Sequence, residues 1–131
     1  MVLFFCGVFF QNCKNNDPAP PTLVLSNTKI DLGNITSKSN FKLGLFKNGT
    51  GTITYAISSN KNWLKLDKVS GNIISTKDSV NLGVQLPATD LIDGLNNATI
   101  TITPTINGIV ADPVNVDVSG QFATTALTSK F

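Results

Sequence analysis

The 131-residue sequence contains no histidine, no arginine and no glutamate, so its ten cations are all lysine and its eight anions are all aspartate. Without histidine, the chain lacks the commonest general base and the commonest neutral metal ligand. Without arginine, it lacks the planar fork that recognises phosphates and guanine bases through paired hydrogen bonds. The net charge of +2 is small and the lysines are scattered, so we expect no nucleic-acid partner.

Residues that favour helices are also scarce, since glutamate and arginine are missing and methionine occurs once. Thr, Asn, Val, Ile and Ser are plentiful, and these residues favour strands and turns. The apolar fraction of 41% is sufficient to form the core of one domain. The composition therefore predicts an all-β domain.

Cysteine occurs twice, at Cys6 and Cys13, so the remainder of the chain has neither a disulfide framework nor a thiolate metal site. Residues 2–10 form an apolar run. A helix of this length cannot span a bilayer, which takes about 20 residues, but the run has the length of a signal-peptide core. The segment FFQNCKNND (residues 9–17) resembles a bacterial lipoprotein signal, in which the cysteine after the apolar run becomes the acylated N-terminus.

This resemblance implies that residues 1–13 are a signal segment and that Cys13 carries the lipid. The protein would then be exported and anchored to a membrane of the cell envelope, in the outer membrane or at the cell surface. Residues 14–21 are rich in proline and asparagine and would form a tether. The alternative for the apolar run is a buried N-terminal strand of a cytosolic protein.

From residue 22 onward, apolar and polar residues alternate with the period of two that is typical of half-buried strands. The apolar positions of the predicted strands are Leu23 and Leu25, continued by Ile30 and Leu32; Phe41, Leu43 and Leu45; Ile53, Tyr55 and Ile57; Val80, Leu82, Val84 and Leu86; Ile100 and Ile102; and Val114, Val116 and Val118. Residues 31–34 are predicted to form a turn, and Asn48-Gly49 and Asn107-Gly108 are predicted to form hairpins. The pattern predicts an immunoglobulin-like β-sandwich of about seven antiparallel strands over residues 22–119, followed by a tail of unknown structure at 120–131.

Three segments of this domain resemble the BACON family, whose name stands for Bacteroidetes-associated, carbohydrate-binding, often N-terminal. They are TITYAISSNKNWLKLDKVSGNI (52–73), SVNLGVQL (79–86) and LIDGLNNATITIT (91–103). The most informative motif is the Trp63-Leu64 pair followed by a turn at Ser70-Gly71. The resemblance implies an immunoglobulin-like domain of an exported or surface protein, with a role either in binding glycans or mucins or as a spacer.

Four residues are candidate glycan contacts, because sugar sites stack aromatic rings on pyranoses and surround them with polar groups. Phe46 is out of phase with the inward-facing Leu43 and Leu45, so we expect its ring to be exposed. The other candidates are Trp63 and its neighbours Asn60 and Asn62. The apolar residues that follow Trp63 favour a core role for its ring over stacking on a sugar.

The polar residues offer little chemistry beyond this. Asp90, Asp93, Asn96 and Asn97 carry oxygens that suit calcium, but they lack the spacing of an EF-hand loop, and we predict no metal and no cofactor. The scattered aspartates do not suggest a pair across a cleft, and we predict that the protein is not an enzyme.

We expect a non-catalytic lipoprotein module, either a structural spacer or an accessory domain with weak glycan binding, whose partners are the membrane and glycans or proteins of the cell surface. The alternatives are a dedicated carbohydrate-binding protein and an N-terminal fragment of a larger surface hydrolase.

Overall fold

Two β-sheets pack face to face over a shared apolar core in residues 19–123, the part of the chain that the computed structural model describes. The strands are β1 (Thr22–Leu25), β2 (Lys29–Asn34), β3 (Asn40–Asn48), β4 (Ile53–Ser59), β5 (Leu64–Leu66), β6 (Ser70–Ile73), β7 (Lys77–Val84), β8 (Gly94–Ile106), β9 (Ile109–Val110) and β10 (Val114–Phe122). The four-stranded sheet has the order β1-β3-β7-β5, and the six-stranded sheet has the order β2-β10-β8-β4-β6, with β9 beside β8. The predicted all-β sandwich is confirmed, with ten strands in place of about seven.

The alternation of side chains along each strand builds the core. In β4, Ile53, Tyr55 and Ile57 are at most 3% exposed, whereas the residues between them face solvent. Leu43 and Leu45 of β3 meet them from the opposite sheet and are fully buried. Each large apolar side chain buried in this way contributes roughly 1.5–3 kcal/mol to stability.

The chain changes sheet between β1 and β2, which the sequence pattern had joined into one strand. β1 pairs with β3 in the four-stranded sheet, whereas β2 pairs in parallel with β10 in the six-stranded sheet. Ser26 ends the first pairing, because its hydroxyl oxygen accepts a hydrogen bond from the Gly44 N–H at 2.9 Å. The predictions of one continuous first strand and of a uniformly antiparallel sandwich are therefore wrong.

Residues 31–34 lie inside β2 and are not the turn that was predicted. Gly33 has a φ of +68°, and the register with β10 shifts between Ser119 and Gln121. These features are typical of a β-bulge, which leaves an extra residue unpaired and bends the strand. Opposite the bulge, a Cβ at Gly120 would lie 2.6 Å from Cγ1 of Ile35, so the close approach of the two strands requires glycine there.

The two Asn-Gly sequences turn the chain in different ways. Asn107 and Gly108 both have positive φ angles, 51° and 84°, as in a type I′ turn, and they join β8 to β9 in the predicted hairpin. Asn48-Gly49 connects β3 to β4, which belong to different sheets, so no hairpin forms there. The predicted turn at Ser70-Gly71 is also wrong, because both residues lie in β6 and pair with β4.

Two of the predicted segment boundaries shift. Pro21 belongs to the sandwich and not to the tether, because it is fully buried and packs against the backbone at Gly49 and Gly51. Residues 120–122 belong to β10 and not to the tail, and Phe122 is only 8% exposed. The signal segment with Cys13, residues 14–18 of the tether and residues 124–131 of the tail lie outside the described residues.

Candidate functional site

The Trp63 side chain lies inside the core. It is 0% exposed, and its loop between β4 and β5 is fixed by a 2.8 Å hydrogen bond from the Gln85 N–H to the Trp63 carbonyl. A ring with no exposed face cannot stack on a sugar, so Trp63 is not a glycan contact. The burial agrees with the core role that its apolar neighbours favoured.

The two asparagines beside Trp63 differ in what they contact. The Asn60 side-chain oxygen accepts a hydrogen bond of 2.8 Å from the Thr99 N–H, and the Asn60 N–H donates to the Thr99 carbonyl at 3.1 Å. Asn60 therefore holds its loop against β8, and its amide oxygen is already engaged. Asn62 is exposed, and its backbone N–H donates to the Asp90 carboxylate. These two residues do not form a sugar site around an exposed tryptophan ring.

Asn96 is a buried polar residue whose importance was not apparent from the sequence. It is 4% exposed, its side-chain oxygen accepts from the Ile92 N–H at 2.8 Å, and its amide nitrogen donates to the carbonyls of Ile92 and Gly94. These bonds shape the loop before β8, so the Asn96 oxygen is not available for the calcium alternative. Among residues 19–123, no three His, Cys, Asp or Glu side chains are grouped closely enough to hold a metal ion.

A groove of about 660 Å³ lies at the end of the sandwich where β10 finishes. Its walls include Ile35, Leu86 and Phe122, and Asp93 is the one titratable residue in its lining. Hydrolysis of glycosides commonly uses two carboxyl groups that face each other across the bond. The lining of this groove does not contain that arrangement.

Tyr55, Asp78 and Lys68 form a titratable cluster at one edge of the sandwich. The Tyr55 hydroxyl donates to the Asp78 carboxylate at 2.5 Å, and the Lys68 ammonium lies 3.2 Å from the other Asp78 oxygen. Burial is the largest cause that raises the pKa of Tyr55 well above its usual value, and the hydrogen bond to Asp78 is the second. Burial also acts to raise the pKa of Asp78, but hydrogen bonds from Tyr55, the Ser79 backbone and Lys68 outweigh it and leave that pKa lowered. The cluster joins the two sheets.

Phe46 lies on the outer face of the four-stranded sheet, and its predicted exposure is confirmed at 36%. Its ring lies across Gly44, where an added Cβ would be 3.0 Å from the ring atom Cε2. Val24 pairs with Phe46 on one side, and Lys77 pairs with it on the other. The Lys77 ammonium is 5.9 Å from the ring centroid. This arrangement presents an apolar ring that packs on Gly44 and has the Lys77 ammonium over it.

Residues 22–119 match the family described as the viral BACON domain. Among solved structures, PapD-like domain 7 of human CEP192 superposes with a TM-score of 0.65 at 14% identity, covering 88% of this chain and 94% of that one. The periplasmic chaperone SfaE gives 0.61 at 6% identity, covering 76% of this chain and 56% of that one. WR4, an MSP family member of C. elegans, gives 0.55 at 12% identity, covering 77% and 97%. No curated protein matches the chain.

At these identities, the structural likenesses show the fold alone, which is a sandwich of the immunoglobulin-like, PapD-like kind. The family match covers more than half of the chain and includes the resemblance segments around Trp63. The fold and the family together support a non-catalytic accessory domain. The chain belongs to the viral BACON domain family.

Proposed function

We propose that this domain is a spacer in an exported protein, which holds the segments on its two sides apart. The observation that carries the proposal is the path of the chain. The chain enters the sandwich at Pro21, beside the β3–β4 connection, and the last described residue, Ala123, follows the end of β10. These points lie at opposite ends of β8. Phe122, at the end of β10, pairs with Gly94, the first residue of β8. Asn107 follows the last residue of β8, and its side chain lies close to Gly51 and Pro21.

The separation is set by the strands. β8 contains 13 residues, and at about 3.3 Å per residue it extends over roughly 40 Å. A folded sandwich fixes that distance, whereas a flexible linker of the same length would let its two ends approach each other. This geometry suits a domain that displays a neighbouring segment away from its attachment point.

The spacer role can be tested by exchanging the domain. An epitope added after residue 131 should be accessible to antibody on intact cells that express the full chain, and inaccessible when residues 21–123 are replaced by a short Gly/Ser linker. An unrelated sandwich domain with its termini at opposite ends should restore access. Access that survives the short linker would overturn the proposal.

Attachment through Cys13 is the second part of the proposal, and the signal-like sequence before it is what supports it. Labelled palmitate should enter the wild-type chain and the Cys6→Ser control, and it should be lost from Cys13→Ser. Incorporation that persists in Cys13→Ser would refute the assignment of the anchor.

Weak glycan binding is a second candidate function, favoured by the exposed Phe46 ring. Phe46→Ala should abolish binding to a glycan array, while a cooperative melting transition shows that the variant remains folded. Val110→Ala is a suitable control, because Val110 is 69% exposed and lies on the other sheet. A wild-type protein that gives no signal on the array would exclude this candidate.

A further inference from the structure

The outer face of the four-stranded sheet carries positive charge. We call this surface the basic face, and it consists of the outward-facing positions of the sheet: Thr22 and Val24 on β1; Asn40, Lys42, Gly44, Phe46 and Asn48 on β3; Lys77, Ser79, Asn81 and Gly83 on β7; and Lys65 on β5. All three of its lysines are exposed. None of these outward positions is an aspartate, so the strands that form the face supply no compensating charge.

Two carboxylates lie near the basic face, and both are hydrogen-bonded. Asp67 follows β5, and its two oxygens accept hydrogen bonds of 2.9 Å from the backbone and the side-chain amide of Asn81, so this carboxylate lies against the face and offsets one of its three positive charges. Asp78 is bound to Tyr55 and Lys68. The outer face of the six-stranded sheet is not similarly basic, because the exposed Lys29 lies there with the exposed Asp31 and Asp117.

The surface between the lysines is low and open. Ser79 pairs with Gly44, and Gly83 pairs with Asn40 and Lys65, so small side chains lie between the charged ones. A Cβ added at Gly83 would meet nothing within 4 Å. An extended molecule can therefore lie along the face and contact the sheet, with the Phe46 ring at one end of its path.

We propose that the basic face binds an acidic polysaccharide, with one sugar ring stacked on Phe46 and its carboxylate or sulfate groups against Lys42, Lys65 and Lys77. This inference rests on the glycan-binding candidate function and specifies the class of glycan. The Lys77 ammonium, 5.9 Å from the Phe46 ring centroid, is within reach of an anionic substituent on a stacked sugar. Lys42 and Lys77 lie on neighbouring strands four register positions apart, which corresponds to roughly 14 Å. Their spacing suits an oligosaccharide better than a single sugar.

A polysaccharide fits this face better than a lipid surface does. Proteins that lie on membranes bury protruding apolar side chains in the lipid. Here the Phe46 ring packs against Gly44 through its atoms Cε2 and Cζ, and Val24 is its apolar neighbour across the strand pair. An aromatic ring packed on the sheet near a lysine ammonium can stack on a sugar while the ammonium pairs with an acidic group of that sugar.

The test compares acidic and neutral polysaccharides on the full chain. Chondroitin sulfate and polygalacturonate should bind, dextran should bind at least about tenfold more weakly, and added salt should weaken the acidic complexes. Replacing Lys42, Lys65 and Lys77 together by glutamine should reduce affinity for chondroitin sulfate by about tenfold or more. The matched control replaces Lys29, Lys38 and Lys61 by glutamine, which changes the net charge equally, and it should change affinity by less than about twofold.

The outcomes distinguish the preference for acidic polysaccharides from glycan binding in general. If dextran binds as tightly as the acidic polymers and the lysine variants have no effect, the acidic preference is wrong while glycan binding stands. If no polysaccharide binds, both fail. If anionic vesicles or single-stranded DNA bind as tightly as chondroitin sulfate and Phe46→Ala changes nothing, the face is a general polyanion surface and the inference is overturned. Melting temperatures of the lysine variants should match that of the wild type, and Phe46→Ala should retain a cooperative melting transition.

Discussion

The Tyr55 hydroxyl donates a 2.5 Å hydrogen bond to the Asp78 carboxylate and thereby connects β4 in one sheet to β7 in the other. Tyr55 is 3% exposed, and the Lys68 ammonium pairs with the same carboxylate. Gly71 makes room for this contact, since a Cβ there would collide with the Tyr55 hydroxyl. At this edge, the spacing of the sheets depends on a polar contact as well as on apolar packing.

Tyr55→Phe should lower the free energy of unfolding by about 1–3 kcal/mol, because it removes a buried donor from a charged acceptor. Urea denaturation of the purified chain would measure this. Ser58→Ala, at an exposed position of the same strand, is the control and should change stability by less than about 0.5 kcal/mol. Equal effects of the two substitutions would contradict the role of the Tyr55–Asp78 bond.

The same contact predicts how stability depends on pH. The pKa of Asp78 is lowered in the folded protein, so ionised Asp78 stabilises the fold. This stabilisation is fully present above the unfolded-state pKa of about 3.9, and it is lost as the pH falls through the lower folded-state pKa. The pKa of Tyr55 is raised, so its neutral hydroxyl stabilises the fold fully below the unfolded-state pKa of about 10. This stabilisation is lost as the pH rises further, toward the higher folded-state pKa. Urea midpoints measured across pH for wild type and Asp78→Asn should differ most near neutrality and converge in acid. A constant difference down to strongly acidic pH would contradict this assignment.

Trp63→Ala should cost about 3–5 kcal/mol, because it removes the largest fully buried side chain of the described core. Trp63→Phe should cost clearly less, since it keeps an aromatic ring and removes an indole N–H that has no hydrogen-bond partner in the structure. Denaturation curves of the two variants provide the comparison. A Trp63→Ala protein with unchanged stability would be incompatible with a buried ring.

Asn96→Asp should destabilise the domain by about 1–3 kcal/mol, because a carboxylate oxygen would replace the amide that donates to the Ile92 and Gly94 carbonyls. Asn97→Asp is a matched control, since it makes the same chemical change at the exposed neighbouring position. The difference between the two melting temperatures isolates the buried hydrogen bonds. Equal melting temperatures would show that Asn96 does not organise its loop.

The sequence predicts the sandwich well because each strand buries alternate side chains in one core. The same property hides the change of sheet between β1 and β2, since the strands of both sheets turn their apolar residues toward the same interior. Turn chemistry has a similar limit. Asn48-Gly49 specifies a reversal of the chain but not which strands pair, and β3 and β4 pair with other partners.

Part of the candidate site was predictable, because the alternation of side chains along a single strand determines which of them are exposed. The exposure of Phe46 follows from its phase relative to Leu43 and Leu45, which is local information. The position of Lys65 on the same outer face as Lys42 and Lys77 depends on the pairing of β5 with β7, and no local pattern specifies it. Tyr55 and Asp78 are 23 positions apart in the chain, so only the packing of the two sheets brings them together.

The parallel pairing of β2 with β10 affects how the domain responds to force. Once β1 is released from β3, tension applied through the two ends of the chain pulls β2 and β10 in opposite directions along their common axis. The hydrogen bonds between Lys29–Asn34 and the end of β10 are then loaded together in shear, whereas a hairpin pulled from its open end breaks its bonds one after another. A domain connected in this way is suited to stay folded while it transmits a pull between its two ends.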